Sequence, residues 1–158
     1  MEARFVNTNG YNTHVLLGGE RGRPAVVLLH GGGPGASAQA NWERVIKDLA
    51  DEFYVIAPDM VGFGKTEHPE PRPTSGLGWT GLRVQQILSL LDALEIDRAN
   101  LVGNSMGGYM SLQLLLSAPE RFQRAVLMGS AGGQFEPTPE LNLMRNFYQD
   151  PRLERYRE

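Results

Sequence analysis

Residues 101–108 of the chain read LVGNSMGG, and this stretch decides the fold. An apolar run ends at Gly103, a single serine follows at Ser105, and an apolar helical pattern runs from Met106 to Ser117. Glycine stands on both sides of the serine at the spacing that lets a strand turn sharply into a helix. On such a turn the serine hydroxyl stands clear at the end of a sheet, so the pattern predicts that Ser105 is a nucleophile.

Strand and helix patterns alternate on both sides of this stretch. Apolar runs that are typical of strands buried on both faces occur at 25–29, 53–58 and 125–128. Apolar residues at helical spacing occur at 41–50 and 84–94. Asn9 and Gly10 lie between strand-like runs and predict a hairpin, whereas residues 68–78 are predicted to be irregular. The order predicts an α/β protein with a mainly parallel, doubly wound sheet.

The composition is that of a soluble globular domain with a small negative charge. The chain has 158 residues, of which 41% are hydrophobic and 21% charged, and its net charge is -3. Without a basic run, no nucleic-acid partner and no anionic membrane are expected. Cysteine is absent, which excludes disulfides, thiolate metal sites and cysteine nucleophiles. The N-terminus lacks a signal-peptide pattern and no apolar run could cross a membrane, so we expect a cytoplasmic location.

A second glycine-rich stretch, residues 30–35, reads HGGGPG and follows a buried run. Its glycines let backbone N–H groups approach a substrate closely, and the charge on an attacked carbonyl oxygen needs such donors. We predict an oxyanion hole formed by the N–H group of Met106 and by that of Gly32, with Gly33 as the alternative donor. The stretch lacks the spacing of a dinucleotide-binding or P-loop motif, so no cofactor and no metal are expected.

The two motifs together resemble the α/β-hydrolase fold superfamily over about residues 5–133. The wording HGGGPG followed by GNSMGG is most similar to the meta-cleavage product hydrolases, which hydrolyse a carbon–carbon bond in vinylogous diketones formed by ring-opening of catechols. The site residues that the resemblance implies are Ser105 as the nucleophile, Gly32 and Met106 as oxyanion donors, and Asn41 and Asn104 as polar pocket residues. For Asn41, a helix N-cap is an equal alternative to the pocket role.

The character of the chain changes after residue 133. Residues 134–158 contain Pro137, Pro139 and many charges, and they show no strand pattern. By the resemblance, residues 1–133 form the amino-terminal part of the hydrolase core without its last strands, and residues 134–158 begin a helical cap. An open sheet edge and an apolar helix would need cover. We therefore expect a complementary carboxy-terminal chain as partner, with a homo-oligomer as a further option.

The histidines do not match the positions that the resemblance requires. The triad order of this fold is Ser, then Asp or Glu, then His, whereas His14, His30 and His68 all precede Ser105. We therefore expect neither the triad Asp nor the triad His within this chain. His30 is expected to stabilise its loop, and His14 and His68 are expected at the surface. Asp59 is expected to hold its turn through side-chain to backbone hydrogen bonds.

Three functions remain open from the sequence. The first is a serine hydrolase that cleaves a carbon–carbon bond in a small-molecule vinylogous diketone and is active only with the complementary part. The second is a carboxylesterase or other acyl hydrolase, because related esterases have similar sequences at both motifs. The third is a non-catalytic protein of the same fold that binds a small ligand. An intact serine turn and intact oxyanion glycines favour chemistry.

Overall fold

A computed structural model describes residues 1–132 and residue 139 of the chain. Strands and helices alternate in it after an initial hairpin, as the sequence predicts. The expected cap, residues 134–158, falls almost wholly outside the described residues. In chain order the elements are β1 (Glu2–Thr8), β2 (Tyr11–Gly18), β3 (Ala25–Leu29), α1 (Ala38–Leu49), β4 (Tyr54–Pro58), α2 (Gly76–Ala93), β5 (Ala99–Asn104), α3 (Met106–Ser117), a 3₁₀ turn (Pro119–Arg121) and β6 (Phe122–Met128).

The strands form one sheet in the order β1-β2-β4-β3-β5-β6. β1 and β2 form an antiparallel hairpin, and Asn9 and Gly10 turn it with positive φ angles of 52° and 93°. β2 pairs antiparallel with β4, and the remaining pairs, β4 with β3, β3 with β5 and β5 with β6, are parallel. The mainly parallel α/β sheet that the sequence predicts is therefore confirmed.

Helices cover both faces of this sheet, as a doubly wound fold requires. Alternate residues of β3 point to opposite faces because side chains alternate along a strand. Val26 and Leu28 pack in a cluster with Trp42 of α1. Val27 and Leu29 pack in a second cluster with residues of α2 and α3. All of β3 is buried, which places its carboxyl end, where the HGGGPG stretch begins, in the middle of the fold.

Three local features differ from the sequence-based expectations or extend them. α2 begins at Gly76, inside the stretch predicted to be irregular, because the Ser75 side chain accepts a hydrogen bond from the Gly78 N–H and caps the helix. α3 is covered on one face only: Met110 is buried, whereas Leu116 is 78% exposed. Within residues 1–132, β6 pairs only with β5 and most of its side chains are exposed.

No helix in the described part of the chain combines the length and the apolar character that crossing a bilayer requires.

Candidate active site

Ser105 forms the turn between β5 and α3 in a strained conformation. Its φ is 52° and its ψ is -110°, a region that residues other than glycine rarely adopt. Such strain costs about 1–3 kcal/mol and persists only where the surroundings hold it. Here the Ser105 N–H donates to the Met128 carbonyl at 2.8 Å, and the Ser105 carbonyl accepts from Gly108 at 3.0 Å and Ala131 at 2.9 Å. The side chain makes no capping hydrogen bond, so the hydroxyl is not committed to the helix.

The glycines around Ser105 are required by close backbone contacts. A methyl group on Gly103 would overlap the Gly107 carbonyl, and one on Gly107 would overlap the Leu29 carbonyl at the end of β3. A methyl group on Gly108 would lie 2.6 Å from the Ser130 Oγ. Because of these glycines, the first turn of α3 packs directly against the neighbouring parallel strand. The tight strand-to-helix turn that the sequence predicts is confirmed.

The glycines that follow β3 lie beside this turn. A methyl group on Gly31 would be 3.6 Å from the Ser105 Cβ. One on Gly32 would be 3.1 Å from the Met106 Sδ and 3.4 Å from the Met106 Cβ. One on Gly33 would meet no described atom within 4 Å. The structure therefore brings Gly32 against Met106, and it leaves Gly33 outside that contact.

Asn41 joins the glycine stretch to the serine turn. Its Oδ1 accepts a hydrogen bond from the Gly31 N–H at 3.2 Å and another from the Asn104 Nδ2 at 3.1 Å. The helix N-cap alternative for Asn41 is wrong, because Ser37 caps α1 by accepting from the Ala40 N–H at 3.1 Å. Asn41 lies one turn inside the helix, and its side-chain oxygen bonds the glycine stretch and Asn104 and does not cap the helix.

His30 is buried and neutral, and it holds the start of the glycine stretch. Its Nε2 accepts a hydrogen bond from the Met60 N–H at 3.0 Å, so Nδ1 carries the proton and donates to the Gly31 carbonyl at 2.7 Å. Burial lowers the pKa of His30, and the hydrogen bond to the Gly31 carbonyl and the nearby charge of Asp59 offset this only in part. The loop-stabilising role predicted for His30 is confirmed.

Asp59 is 1% exposed and connects three parts of the chain. Its Oδ2 accepts from the Lys65 N–H at 2.8 Å, which confirms the predicted role in its own turn, and its Oδ1 accepts from the Ala38 N–H at 2.6 Å. Its third partner is the His14 Nδ1 at 2.8 Å. The surface position predicted for His14 is wrong: its side chain is only 6% exposed, because the Asp59 carboxylate bonds it and the Phe5 ring of β1 packs against it.

Within residues 1–132, no histidine forms a hydrogen bond with the Ser105 hydroxyl. His14 is bonded to Asp59, His30 is bonded to Met60 and to the next carbonyl, and His68 is exposed as predicted. An open cleft of about 740 Å³ runs from the glycine stretch to His68, but Ser105 does not line it. Within residues 1–132, the structure thus brings Ser105 together with the glycine stretch, and the hydrogen bonds of His14 and His30 go to other groups.

Sequence reasoning missed two polar residues of α2 near the site. Gln86 is 1% exposed, and its Nε2 donates to the Asp59 carbonyl at 3.0 Å, which holds the loop after β4. Arg83 is half-buried and contacts the Met106 side chain. Both fall on the helix face that Ile87 and Leu90 bury. A polar residue on a buried helix face is the signal that would have found them.

The strand order and the serine turn place the molecule among the α/β proteins with a hydrolase-type sheet. The sequence model described as alpha/beta hydrolase fold matches residues 24–157. The chain belongs to this family.

Three similar proteins carry the names of dienoate or semialdehyde hydrolases. The 2-hydroxy-6-oxo-2,4-heptadienoate hydrolase of Pseudomonas putida strain F1 is 45% identical over 88% of this chain and 48% of its own length. The 2-hydroxymuconate semialdehyde hydrolase of Pseudomonas sp. strain CF600 is 47% identical over 74% of this chain and 40% of its own length. The structure of a 2-hydroxy-6-oxo-6-phenylhexa-2,4-dienoate hydrolase from Rhodococcus sp. strain RHA1 superposes with a TM-score of 0.92 at 47% identity, covering 99% of this chain and 56% of that one. The chain therefore spans about half the length of the relatives that it matches.

Proposed function

We propose that the chain carries the nucleophile and the oxyanion hole of a serine hydrolase that cleaves a carbon–carbon bond in a vinylogous diketone from aromatic meta-cleavage. One observation carries the proposal: Ser105 lies on a strained turn with φ of 52°, and Gly31 and Gly32 pack against that turn. The names of the similar proteins, which are hydrolases of 2-hydroxy-6-oxo dienoates and of 2-hydroxymuconate semialdehyde, support the substrate class.

The reaction begins at the ketone next to the bond that breaks. The Ser105 Oγ attacks the ketone carbon, and negative charge develops on the ketone oxygen. The N–H groups of Gly32 and Met106 donate to that oxygen, and donors held in place before the reaction stabilise it without reorganisation. The contact between Gly32 and Met106 supports this pair, whereas the open surroundings of Gly33 make it the weaker choice.

The net reaction adds one water across the carbon–carbon bond. When the carbon–carbon bond of the adduct breaks, the Ser105 proton passes through a base to the leaving carbon, and the ketone carbon stays bound to Ser105 as an ester. Water then hydrolyses this ester, which gives the carboxylic acid and restores the Ser105 hydroxyl. The electron pair of the broken bond passes into the vinylogous fragment, where the second carbonyl group delocalises it. This fragment is therefore a better leaving group than an ordinary carbanion.

The Ser105 hydroxyl must lose a proton and the leaving carbon must gain one, so the reaction needs a base that can also act as an acid. Such help raises the rate by about 10²–10⁴-fold. His14 and His30 are engaged elsewhere in the fold. We therefore assign the base, and the carboxylate that orients it, to polypeptide outside residues 1–132, in a complementary carboxy-terminal part. That part would also cover the exposed strand β6.

The proposal gives the Asn41–Asn104 pair a place in the substrate pocket. The two side chains are bonded to each other at 3.1 Å and lie beside the nucleophile, so they form a fixed polar wall. Such a wall suits a substrate that carries a second carbonyl group and a carboxylate. The proposal includes no cofactor and no metal, and it retains the cytoplasmic location predicted from the sequence.

The nucleophile is tested with Ser105→Ala in the active assembly, with Ser117→Ala at the exposed end of α3 as the matched control. Turnover should fall by several orders of magnitude in Ser105→Ala, as removal of a nucleophile does in other triads, and stay normal in the control. Substrate binding, measured by fluorescence or absorbance titration, should be largely retained. Near-normal turnover in Ser105→Ala would end the proposal. If the unsubstituted assembly binds the substrate but never turns it over, the protein is a binding protein.

The bond type is tested by comparing kcat/KM on a 2-hydroxy-6-oxo dienoate and on an aryl ester of similar size. We expect the dienoate to be preferred. A tenfold preference for the ester, which is about 1.4 kcal/mol of transition-state discrimination, would instead identify a carboxylesterase. The dependence on a second part is tested by assaying the chain alone and then after that part is added, and full activity of the isolated chain would refute it.

A further inference from the structure

The Arg83 side chain lies between two aromatic rings close to the glycine stretch. Its Cζ is 5.2 Å from the centroid of the Phe63 ring and 5.0 Å from that of Trp79. The Phe63 ring in turn meets the His30 ring edge-on, with the centroids 5.2 Å apart. A methyl group on Gly62 would lie 3.0 Å from Trp79, so the loop after β4 needs a glycine there to admit this stack.

The guanidinium also connects this stack to the serine turn. Its Nε donates to the Val61 carbonyl at 3.0 Å, and its Nη1 donates to the Met106 Sδ at 3.5 Å. The Met106 side chain then packs against Gly32, where a methyl group would lie 3.1 Å from the Sδ. A continuous set of contacts therefore runs from Arg83 through the Met106 thioether to Gly32.

The charge of Arg83 is not neutralised within this arrangement. Among residues 1–132, no carboxylate forms an ion pair with it. Burial lowers the pKa of Arg83, because a half-buried guanidinium loses hydration. Cation–π contacts with Phe63 and Trp79 offset part of this cost. A cation kept at such a cost beside Met106 calls for a role that a smaller apolar residue could not fill.

We propose that Arg83 is a positioning residue of the oxyanion hole: it holds the Met106 side chain against Gly32 and so sets the spacing of the two N–H donors. This inference rests on the proposed function, because the donors matter only if negative charge develops between them. It requires arginine, because the rigid guanidinium donates to Val61 through Nε and to Met106 through Nη1 at the same time, whereas a lysine ammonium on its flexible stem lacks this fixed fork.

The kinetic test uses Arg83→Gln and Arg83→Lys in the active assembly. The matched control is Arg72→Gln, which makes the same charge change at a side chain that is 72% exposed. We expect kcat to fall at least tenfold in both Arg83 variants, with KM within twofold of the unsubstituted protein and no change in the control. A rise in KM at constant kcat, or full recovery with lysine, would overturn the inference.

A double-mutant cycle tests whether Arg83 acts through the thioether. Met106→Leu keeps the backbone donor and removes the sulfur, so Arg83→Lys in that background should lower kcat less than twofold further. An undiminished, independent effect of Arg83→Lys would contradict the proposed route. The cycle uses Arg83→Lys because this substitution keeps the positive charge, so the cycle can still be measured if Arg83→Gln does not fold.

A measurement without turnover separates this inference from the proposed function. If the unsubstituted chain together with its complementary part hydrolyses neither the dienoate nor the ester, the proposed function fails. The ¹³C-methyl NMR resonance of Met106, assigned through Met106→Leu, then decides the positioning role. It should shift in Arg83→Lys and stay in place in Arg72→Gln. If the Met106 methyl resonance keeps its chemical shift in Arg83→Lys, the inference is overturned, whatever the activity of the assembly.

Discussion

Gly32 and Gly33 offer a matched pair of substitutions that isolates the oxyanion hole. Neither residue has a positive φ, so alanine fits the backbone at both positions. A methyl group on Gly32 would lie 3.1 Å from the Met106 Sδ and 3.4 Å from its Cβ, whereas on Gly33 it would meet no described atom within 4 Å. The two variants therefore add the same methyl group, and only one of them adds it against the second proposed donor residue.

The size of the effect follows from this geometry. A contact of 3.0–3.4 Å forces the neighbour to give by a few tenths of an ångström. Oxyanion donors act at about 2.7–3.1 Å, and loss of one costs about 2.7–4 kcal/mol. A donor that is displaced and not lost should cost roughly half of that. We therefore expect Gly32→Ala to lower kcat on the order of tenfold, or about 1.4 kcal/mol, and Gly33→Ala to lower it less than about twofold.

Steady-state kcat and KM of both variants in the active assembly are the measurement, with urea unfolding of each to confirm the fold. KM should change little, because the donors act on the charged transition state. If Gly33→Ala loses activity and Gly32→Ala does not, the donor is Gly33 and the geometric argument is wrong. If the two variants lose equally, the contact with Met106 does not set the donor position.

Three further predictions concern stability and are measured by urea unfolding. Gly107→Ala should destabilise the protein by about 1–3 kcal/mol, because its methyl group would overlap the backbone of β3. Gly81 lies in open space on α2, so Gly81→Ala should stabilise the protein by about 0.5–1 kcal/mol. Equal effects of the two substitutions would refute the packing argument. Because burial lowers the pKa of His30 from 6.5, the unfolded chain binds a proton below about pH 6.5 that the folded chain does not. The free energy of unfolding should therefore fall as the pH drops below about 6.5, by at most about 1.4 kcal/mol per pH unit. In His30→Gln the free energy of unfolding should change less steeply with pH. Asp59→Asn replaces a buried carboxylate that accepts hydrogen bonds from Ala38, Lys65 and His14 and should cost about 1.5–3 kcal/mol, whereas a loss under about 1 kcal/mol would show that the carboxylate is dispensable.

The amino-acid sequence by itself determined the features that depend on local chemistry. The run of residues 25–29 is apolar throughout, and such a run is stable only when both faces are covered, so a buried strand was predicted and is found. Asn9 and Gly10 accept positive φ, so the hairpin turn followed from two residues. The serine turn also followed locally, because the glycines around Ser105 are needed wherever a helix must pass a strand at this distance.

Tertiary structure alone decided which distant groups meet. His14 was predicted at the surface, and it is buried because Asp59, which is 45 positions away, bonds its ring and Phe5 of the neighbouring strand packs on it. Asn41 reads equally well as a helix cap or a pocket residue; Ser37 takes the cap, and the Asn41 side chain bonds Asn104, which is 63 positions away. Arg83 shows no motif at all, and its contacts arise because two other segments, the loop after β4 and the start of α3, meet its guanidinium. Local propensity carries no information about strand order or helix packing, because both depend on the sum of many weak contacts across the whole sheet.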